Sequence, residues 1–114
     1  MYYDLLVHVD LPDEQRFTVA LNNIANYIAA LKVEEYHIVL LANAGAAKFL
    51  ANKSAFAARV AEMQNHGVLF MVCANALKAA SIAMEDVLVG VQIVPAGVVE
   101  IVRLQREGYC YLKP

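Results

Sequence analysis

Five short apolar segments divide the chain at nearly regular intervals. They cover residues 5–9, 37–42, 68–74, 91–94 and 109–112. The first four show little alternation between apolar and polar side chains, which is typical of parallel strands covered by helices on both faces. The fifth is more amphipathic and is followed by Pro114, which favours an edge strand because proline cannot donate a ladder hydrogen bond. The pattern therefore predicts four buried strands and one edge strand.

Helical periodicity fills the gaps between these strands. In residues 16–31 the apolar positions recur at spacings of three and four, which places them on one face of a helix that Asp10 or Asp13 could cap. Residues 54–66 predict a second helix, with Ser54 as its N-cap. Further helical segments are predicted at residues 75–80, 84–88 and 97–107.

The alternation of strands and helices predicts the fold class. Repeated strand–helix–strand units with right-handed crossovers give an α/β protein, built as a three-layer α/β/α sandwich around a five-stranded, mostly parallel sheet. The chain has 114 residues, which is the size of one domain, and no linker, repeat or low-complexity segment interrupts it. We therefore expect residues 1–114 to form a single domain.

The segment 97–107 is apolar over more of its circumference than one sheet contact requires. Its inner and outer positions both carry aliphatic residues, namely Val98, Val99, Ile101 and Val102. The whole chain is also 61% hydrophobic and 18% charged, against usual shares of about 45–50% and about 25%. This composition excludes a disordered chain, and so small a domain has little interior in which to bury the excess. We therefore predict a homo-oligomer with residues 97–107 in the subunit contact.

Charge and cysteine content exclude several classes of protein. The formal net charge is −2 and no run of lysine and arginine occurs, so a nucleic-acid partner is not expected. No apolar run approaches the roughly 20 residues of a membrane-spanning helix, and no basic secretory signal is recognisable, so no membrane association is expected. Cys73 and Cys110 are far apart, which favours free thiols in a cytoplasmic protein over a disulfide framework.

Ligands of open parallel sheets bind at the carboxyl ends of the strands. In this chain those ends are followed by residues 10–14, 43–48, 73–75 and 95–97. The first of these loops is acidic and contains Pro12, whereas a phosphate-binding loop has glycines and small hydroxyl residues at that place. Because no glycine-rich nucleotide motif occurs elsewhere, no dinucleotide, flavin or nucleoside triphosphate cofactor is expected.

Among the residues of these loops, Cys73 is the strongest candidate for a reactive side chain. It falls where the third strand ends and a helix is predicted to begin, so backbone N–H groups and the helix dipole would stabilise its thiolate. Lys48 would add positive charge if its loop folds over the same edge. The alternative is that Cys73 is a small, buried and inert side chain. Cys110, between two tyrosines, is predicted to be structural.

The three histidines do not indicate a metal site. His8 and His37 lie inside predicted strands, where a hydrogen-bonded core or interface histidine is the usual case, and His66 lies near a helix end. No pair has the spacing of metal ligands, and no G-x-S-x-G nucleophile motif occurs. Neither a metalloenzyme nor a serine hydrolase is therefore expected.

Several short segments together resemble one protein family. They are Val72-Cys73-Ala74-Asn75-Ala76-Leu77, Glu85-Asp86, Val94-Pro95-Ala96-Gly97-Val98, Ile101-Val102-Arg103-Leu104-Gln105 and Gly108-Tyr109-x-Tyr111-x-Lys113-Pro114. This set resembles the DsrE family of sulfur-metabolism proteins, most closely its small single-domain branch. The resemblance implies a five-stranded parallel sheet with the last strand at the edge beside the first, and assembly into trimers or hexamers. It also implies that a cysteine after the third strand carries a persulfide between two proteins, and Cys73 occupies that position.

Two functions remain open at this point. In the first, the chain is a sulfur carrier that accepts a sulfur atom on Cys73 from a donor protein and delivers it to an acceptor protein, as a sulfurtransferase does. The binding or steering residues would then be Asn43, Lys48, Asn75 and Gly97. In the second, the chain is a non-catalytic oligomeric module that binds a small ligand or a protein at the same edge, and Cys73 is only a well-placed small residue.

Overall fold

The computed structural model describes residues 3–32 and 34–114, so Met1, Tyr2 and Val33 lie outside the described residues. The strands are β1 (Leu5–Val9), β2 (Ile38–Ala42), β3 (Leu69–Cys73), β4 (Gln92–Val94) and β5 (Cys110–Leu112). The α-helices are α1 (Glu14–Ala30), α2 (Ala57–Asn65), α3 (Ala74–Ala79) and α4 (Gly97–Arg106). Two short 3₁₀ helices cover Ala44–Leu50 and Met84–Asp86.

All five strands are parallel and form one sheet in the order β4-β3-β2-β1-β5. Across the central strands, Leu41 of β2 is paired with His8 of β1 on one side and with Met71 of β3 on the other. The predicted α/β fold with a five-stranded sheet is confirmed, and the sheet is wholly rather than mostly parallel. The amphipathic last segment is the edge strand β5, which lies beside β1.

Most of the helices cover one face of the sheet. Side chains from α1, α2, α3 and the first 3₁₀ helix are buried there against alternate residues of the strands. The helical contributors to this core include Phe17, Leu21, Ile24, Phe49, Leu50, Val60 and Leu77. This layer buries apolar area from four separate elements, and it supplies most of the hydrophobic stabilisation of the fold.

Among the helices of residues 3–32 and 34–114, only α4 covers the opposite face, where Tyr109 also packs. It runs from the end of β4 across the sheet to the start of β5, and its Ile101 and Leu104 pack against the strands. The buried members of this second core cluster are Leu6, Val39, Leu41, Met71, Val94 and Leu104. The outer side of α4 is uncovered, since Val98, Val99 and Val102 are 63%, 61% and 56% exposed. The three layers are therefore present, but they are unequal.

The structure differs from the sequence-based expectations mainly between β2 and β3. The loop expected after β2 forms a 3₁₀ helix, whose Ala46, Ala47, Phe49 and Leu50 are buried. Helix α2 begins at Ala57 rather than near Ser54, because the Ser54 hydroxyl accepts the N–H of Phe56 and forms a turn ahead of the helix. Only the second of these differences involves a side chain that binds the local backbone.

Helix α1 begins at a well-defined cap. The Asp13 side chain accepts hydrogen bonds from the backbone N–H groups of Gln15, at 2.9 Å, and Arg16, at 3.4 Å. These N–H groups have no partner inside the helix, so an oxygen at the N-cap satisfies them. Although α1 is the longest helix of the fold, neither it nor any other helix in the described stretches is long and apolar enough to cross a membrane.

Replacing Asp13 with alanine removes this cap and should lower the free energy of unfolding by about 1 kcal/mol. Asp13→Asn is the matched control, because its side-chain oxygen can accept the same N–H groups, and little change is expected for it. Urea denaturation followed by far-UV circular dichroism measures both variants. If Asp13→Ala unfolds at the same urea concentration as the unmodified chain, the cap does not stabilise α1.

Candidate functional site

Cys73 ends β3 and is the N-cap residue of α3. Its backbone is extended, with φ −75° and ψ 124°, and α3 follows with no intervening loop. In the sheet it pairs with Val94, the last residue of β4. The residue is 7% exposed, and its thiol is free. The structure thus places Cys73 at the carboxyl edge of the sheet, close to the surface but packed by its neighbours.

Gly97, the first residue of α4, allows the helix to begin directly against the ends of β2 and β3. A Cβ atom at this position would lie 3.1 Å from Cδ2 of Leu41, 3.3 Å from Cβ of Cys73 and 3.4 Å from Cβ of Asn43. The first two distances are tighter than most Cβ contacts, so an alanine here requires Leu41 and Cys73 to move by a few tenths of an ångström. Three of the predicted site residues, Cys73, Asn43 and Gly97, therefore meet at one point.

Two helix N-termini flank this point. Helix α3 begins immediately after Cys73, and α4 begins at Gly97 with Ala96 as an N-cap that contributes no side-chain hydrogen bond. The unpaired N–H groups at a helix start carry partial positive charge, which favours a nearby anion. The arrangement therefore places the partial positive charge of two helix starts close to Cys73.

A buried histidine connects the same edge to strand β5. His8 is 8% exposed, and its Nε2 lies 2.8 Å from Oδ1 of Asn43 while its Nδ1 lies 2.6 Å from the hydroxyl of Tyr111. In the neutral ring, Nε2–H donates to Asn43 and Nδ1 accepts from Tyr111. The strand pattern predicts that His8 is a hydrogen-bonded histidine, but it carries no information about partners 35 and 103 residues away in the chain.

The two remaining predicted site residues, Asn75 and Lys48, are not part of the contact at Gly97. Asn75 is exposed in the first turn of α3, two positions after Cys73. Lys48 is exposed on the first 3₁₀ helix, where its Nζ lies 5.3 Å from the centre of the Phe49 ring. The groove that Lys48 lines contains none of Cys73, Asn43 and Gly97. Asn43, at the start of the loop after β2, therefore lies near the cysteine, whereas Lys48, later in the same loop, lies on a different surface.

The acidic loop after β1 is partly neutralised by the last strand. Lys113 places its Nζ 3.0 Å from Oδ1 of Asp10, and an Arg16 guanidinium donates to the backbone oxygen of Pro114. Both basic side chains are substantially exposed, so the ion pair between Lys113 and Asp10 contributes little to stability. The pair does reduce the net negative charge of the surface beside His8, which makes that surface less repulsive to an anionic partner.

The groups with perturbed acidity lie at the opposite, amino edge of the sheet. Burial raises the pKa of Tyr27, and the nearby Cys110 and Asp4 add to the effect. Burial also raises the pKa of Tyr109, again with a contribution from Asp4. Cys110 is exposed on β5. Within residues 3–32 and 34–114 no cluster of three histidine, cysteine or acidic side chains could hold a metal ion.

Comparison with known proteins identifies the family to which this chain belongs. The model of the DsrE/DsrF-like family matches residues 12–114, nearly the whole chain, so the chain belongs to that family. Among solved structures, it is similar to MTH1491 of Methanobacterium thermoautotrophicum, described as a protein of unknown function. That similarity has 34% sequence identity and a TM-score of 0.92, and covers 98% of this chain and 99% of that chain. No curated protein matches the chain.

The contact at Gly97 can be tested by adding a single methyl group. Gly97→Ala should lower the free energy of unfolding by about 1–3 kcal/mol, because the group enters filled space. It should also slow alkylation of Cys73 by iodoacetamide at neutral pH, because the start of α4 is pushed away from the sulfur. Mass spectrometry of the Cys73 peptide in a Cys110→Ser background separates the two thiols.

Gly67→Ala is the control for a general loss of stability. Gly67 has a φ of +88° and no atom within 4 Å of an added Cβ, so alanine there is strained but far from Cys73. This variant should lose about 1 kcal/mol of stability while Cys73 reacts at the unmodified rate. Equal slowing of Cys73 alkylation in both variants would show that the packing at Gly97 has no specific effect on the thiol.

Proposed function

We propose that the chain is a sulfur carrier that holds a transferable sulfur atom as a persulfide on Cys73. The observation that supports this most strongly is the position of Cys73 against the starts of both α3 and α4, at the carboxyl edge of a parallel sheet. Membership of the DsrE/DsrF-like family, over residues 12–114, agrees with chemistry at this cysteine. The free thiol also suits a reducing compartment such as the cytoplasm.

The transfer proposed for Cys73 has two balanced halves. Its thiolate attacks the terminal sulfur of a persulfide on a donor protein, so a bond forms between Sγ and that sulfur while the donor's S–S bond breaks. The donor leaves as a thiolate. An acceptor thiolate then attacks the same terminal sulfur, and Cys73 regains its thiolate. Because each step exchanges one thiolate for another, no net oxidation or reduction occurs and the rate depends on thiolate fraction and access.

The neighbouring residues have separate roles in this proposal. Gly97 lets the N–H groups at the start of α4 approach the sulfur anion, and Asn43 lies at the same point with its side-chain amide. Asn75, exposed beside the cysteine, contacts the incoming donor or acceptor. Lys48 lies on another surface, so its contribution is limited to long-range attraction of an anionic partner.

The second candidate function is a binding module without sulfur transfer. The 7% exposure of Cys73 favours it, because a nucleophile must be reached by its partner. Here the edge formed by Asn43, Cys73 and Gly97 binds a small ligand or a protein, and the thiol takes no part in chemistry. The rate of Cys73 alkylation separates the two functions. A rate at neutral pH no faster than that of free cysteine supports the binding module.

Sulfur loading provides the direct test of the carrier. After incubation with a cysteine desulfurase and cysteine, or with a polysulfide, the intact mass should increase by one sulfur atom. The increase should disappear on addition of a reducing thiol, and peptide mapping should place it on Cys73. Cys110→Ser should load as the unmodified chain does, whereas Cys73→Ser should not load. Absence of the adduct from the unmodified chain, or equal loading of Cys73→Ser, would overturn the proposal.

We further propose that the chain forms a homotrimer or hexamer through residues 97–107. The outer side of α4 exposes Val98, Val99 and Val102 side by side. Arg103, which borders them, is held along its own helix by Glu100 and Glu107, and its hydrogen bond to Glu100 raises its pKa. Arg103 and Arg106 line the same groove as the three valines, which form an uncovered apolar strip typical of subunit contacts.

A charge placed in this strip should reduce the assembly to smaller species. Val102→Asp is expected to lower the mass measured by light scattering at micromolar concentration, because burial of an unpaired carboxylate opposes association. Val89→Asp is the matched control, since Val89 is 92% exposed and lies outside α4. It should leave the mass unchanged. A monomeric unmodified chain, or the same mass for both variants, would contradict an α4 interface.

A further inference from the structure

The hydrogen bonds of His8 form a continuous polar chain across three strands of the sheet. Tyr111 lies on β5, His8 on β1, and Asn43 directly after β2, so the chain runs from the sheet edge toward Cys73. All other residues of β1 are aliphatic and buried. An imidazole among them costs free energy unless both ring nitrogens are paired, and here both are.

These bonds also determine which part of the Asn43 amide remains available. The Oδ1 atom is engaged by Nε2–H of His8 at 2.8 Å. The Nδ2 group, which has two N–H donors, is then left for other partners. Because Cβ of Asn43 and Cβ of Cys73 both lie against the Gly97 position, the Asn43 side chain branches from the backbone close to the cysteine. A hydrogen-bond donor, and not an acceptor, is the group that stabilises a sulfur anion.

We infer that His8 is a positioning residue for the site, which fixes Asn43 with its amide N–H donors toward a thiolate or persulfide anion at Cys73. Tyr111 completes the arrangement by donating to Nδ1 of His8, which leaves the proton on Nε2 and so keeps it directed at Asn43. This inference rests on the proposed function of Cys73 as the sulfur-bearing thiol. It extends the site to two residues on strands that do not carry the cysteine.

A double-mutant cycle tests whether His8 acts through Asn43. The readout is the rate of Cys73 alkylation by iodoacetamide as a function of pH, in a Cys110→Ser background. His8→Ala and Asn43→Ala should each slow the reaction at neutral pH by about tenfold or more, the effect of losing one hydrogen bond to a charged group. Each should move the alkylation profile to higher pH. In the double variant the second change should add less than about twofold, because the two residues act in series.

Two conservative variants separate positioning from a structural effect. His8→Gln retains an amide donor for Oδ1 of Asn43 and should recover much of the unmodified profile. Tyr111→Phe removes only a hydroxyl from a side chain that is 41% exposed, and should shift the profile in the same direction as His8→Ala. Tyr109→Phe, on the same segment but outside the polar chain, should leave it unchanged. A variant that merely opens access to Cys73 would change the rate at all pH values without moving the profile.

The outcomes for His8 and for the sulfur carrier are distinguishable. Additive effects in the double variant, or an unmoved profile in both His8→Ala and Tyr111→Phe, would overturn the positioning role even if Cys73 accepts sulfur. Strong coupling between His8 and Asn43 would support it. Failure of the unmodified chain to load sulfur overturns the carrier alone, since alkylation reports on the thiolate without any sulfur donor. If His8→Ala does not fold, the alkylation profiles of Tyr111→Phe and His8→Gln test the same positioning role.

Discussion

The close approach of α4 to the ends of β2 and β3 is the constraint on which the rest of the structure depends. Because Gly97 has no side chain, the helix starts against Asn43 and Cys73 and can then cross the whole sheet face. This contact determines how closely the start of α4 approaches Cys73, and from there the helix crosses to the second core cluster. The packing of the fold and the surroundings of Cys73 cannot be altered independently.

Much of the fold follows from local patterns in the sequence. Buried parallel strands are short, nearly continuous apolar runs, so their positions were predicted within one or two residues, and β5 was recognised by its amphipathic character. Helix α4 was predicted nearly to its ends, since Gly97 and Gly108 bound it. The meeting of Cys73 with Asn43 and Gly97 follows in part from topology, because the carboxyl ends of parallel strands share one edge of the sheet.

The rest of the site depends on information that local patterns do not contain. Lys48 and Asn43 belong to the same loop, but a 3₁₀ helix that packs its alanines into the core turns Lys48 away from the cysteine. The partners of His8 depend on strand order, which brings Tyr111 of β5 and Asn43 of β2 to opposite sides of β1. The sequence predicts only that His8 is hydrogen-bonded. The three-dimensional arrangement shows that one of its partners is Asn43, which lies against Gly97 as Cys73 does.

The polar chain also links the site to the order in which the molecule folds. His8 and Tyr111 are 103 residues apart, so their contact forms only when β5 has docked on β1. The pairing of β1 with β2 joins much closer segments, and the smaller entropy of loop closure favours its earlier formation. Before β5 docks, the imidazole lacks a partner for Nδ1 and β1 is an open edge. A partly folded chain therefore contains Cys73 before the polar chain of Tyr111, His8 and Asn43 is complete.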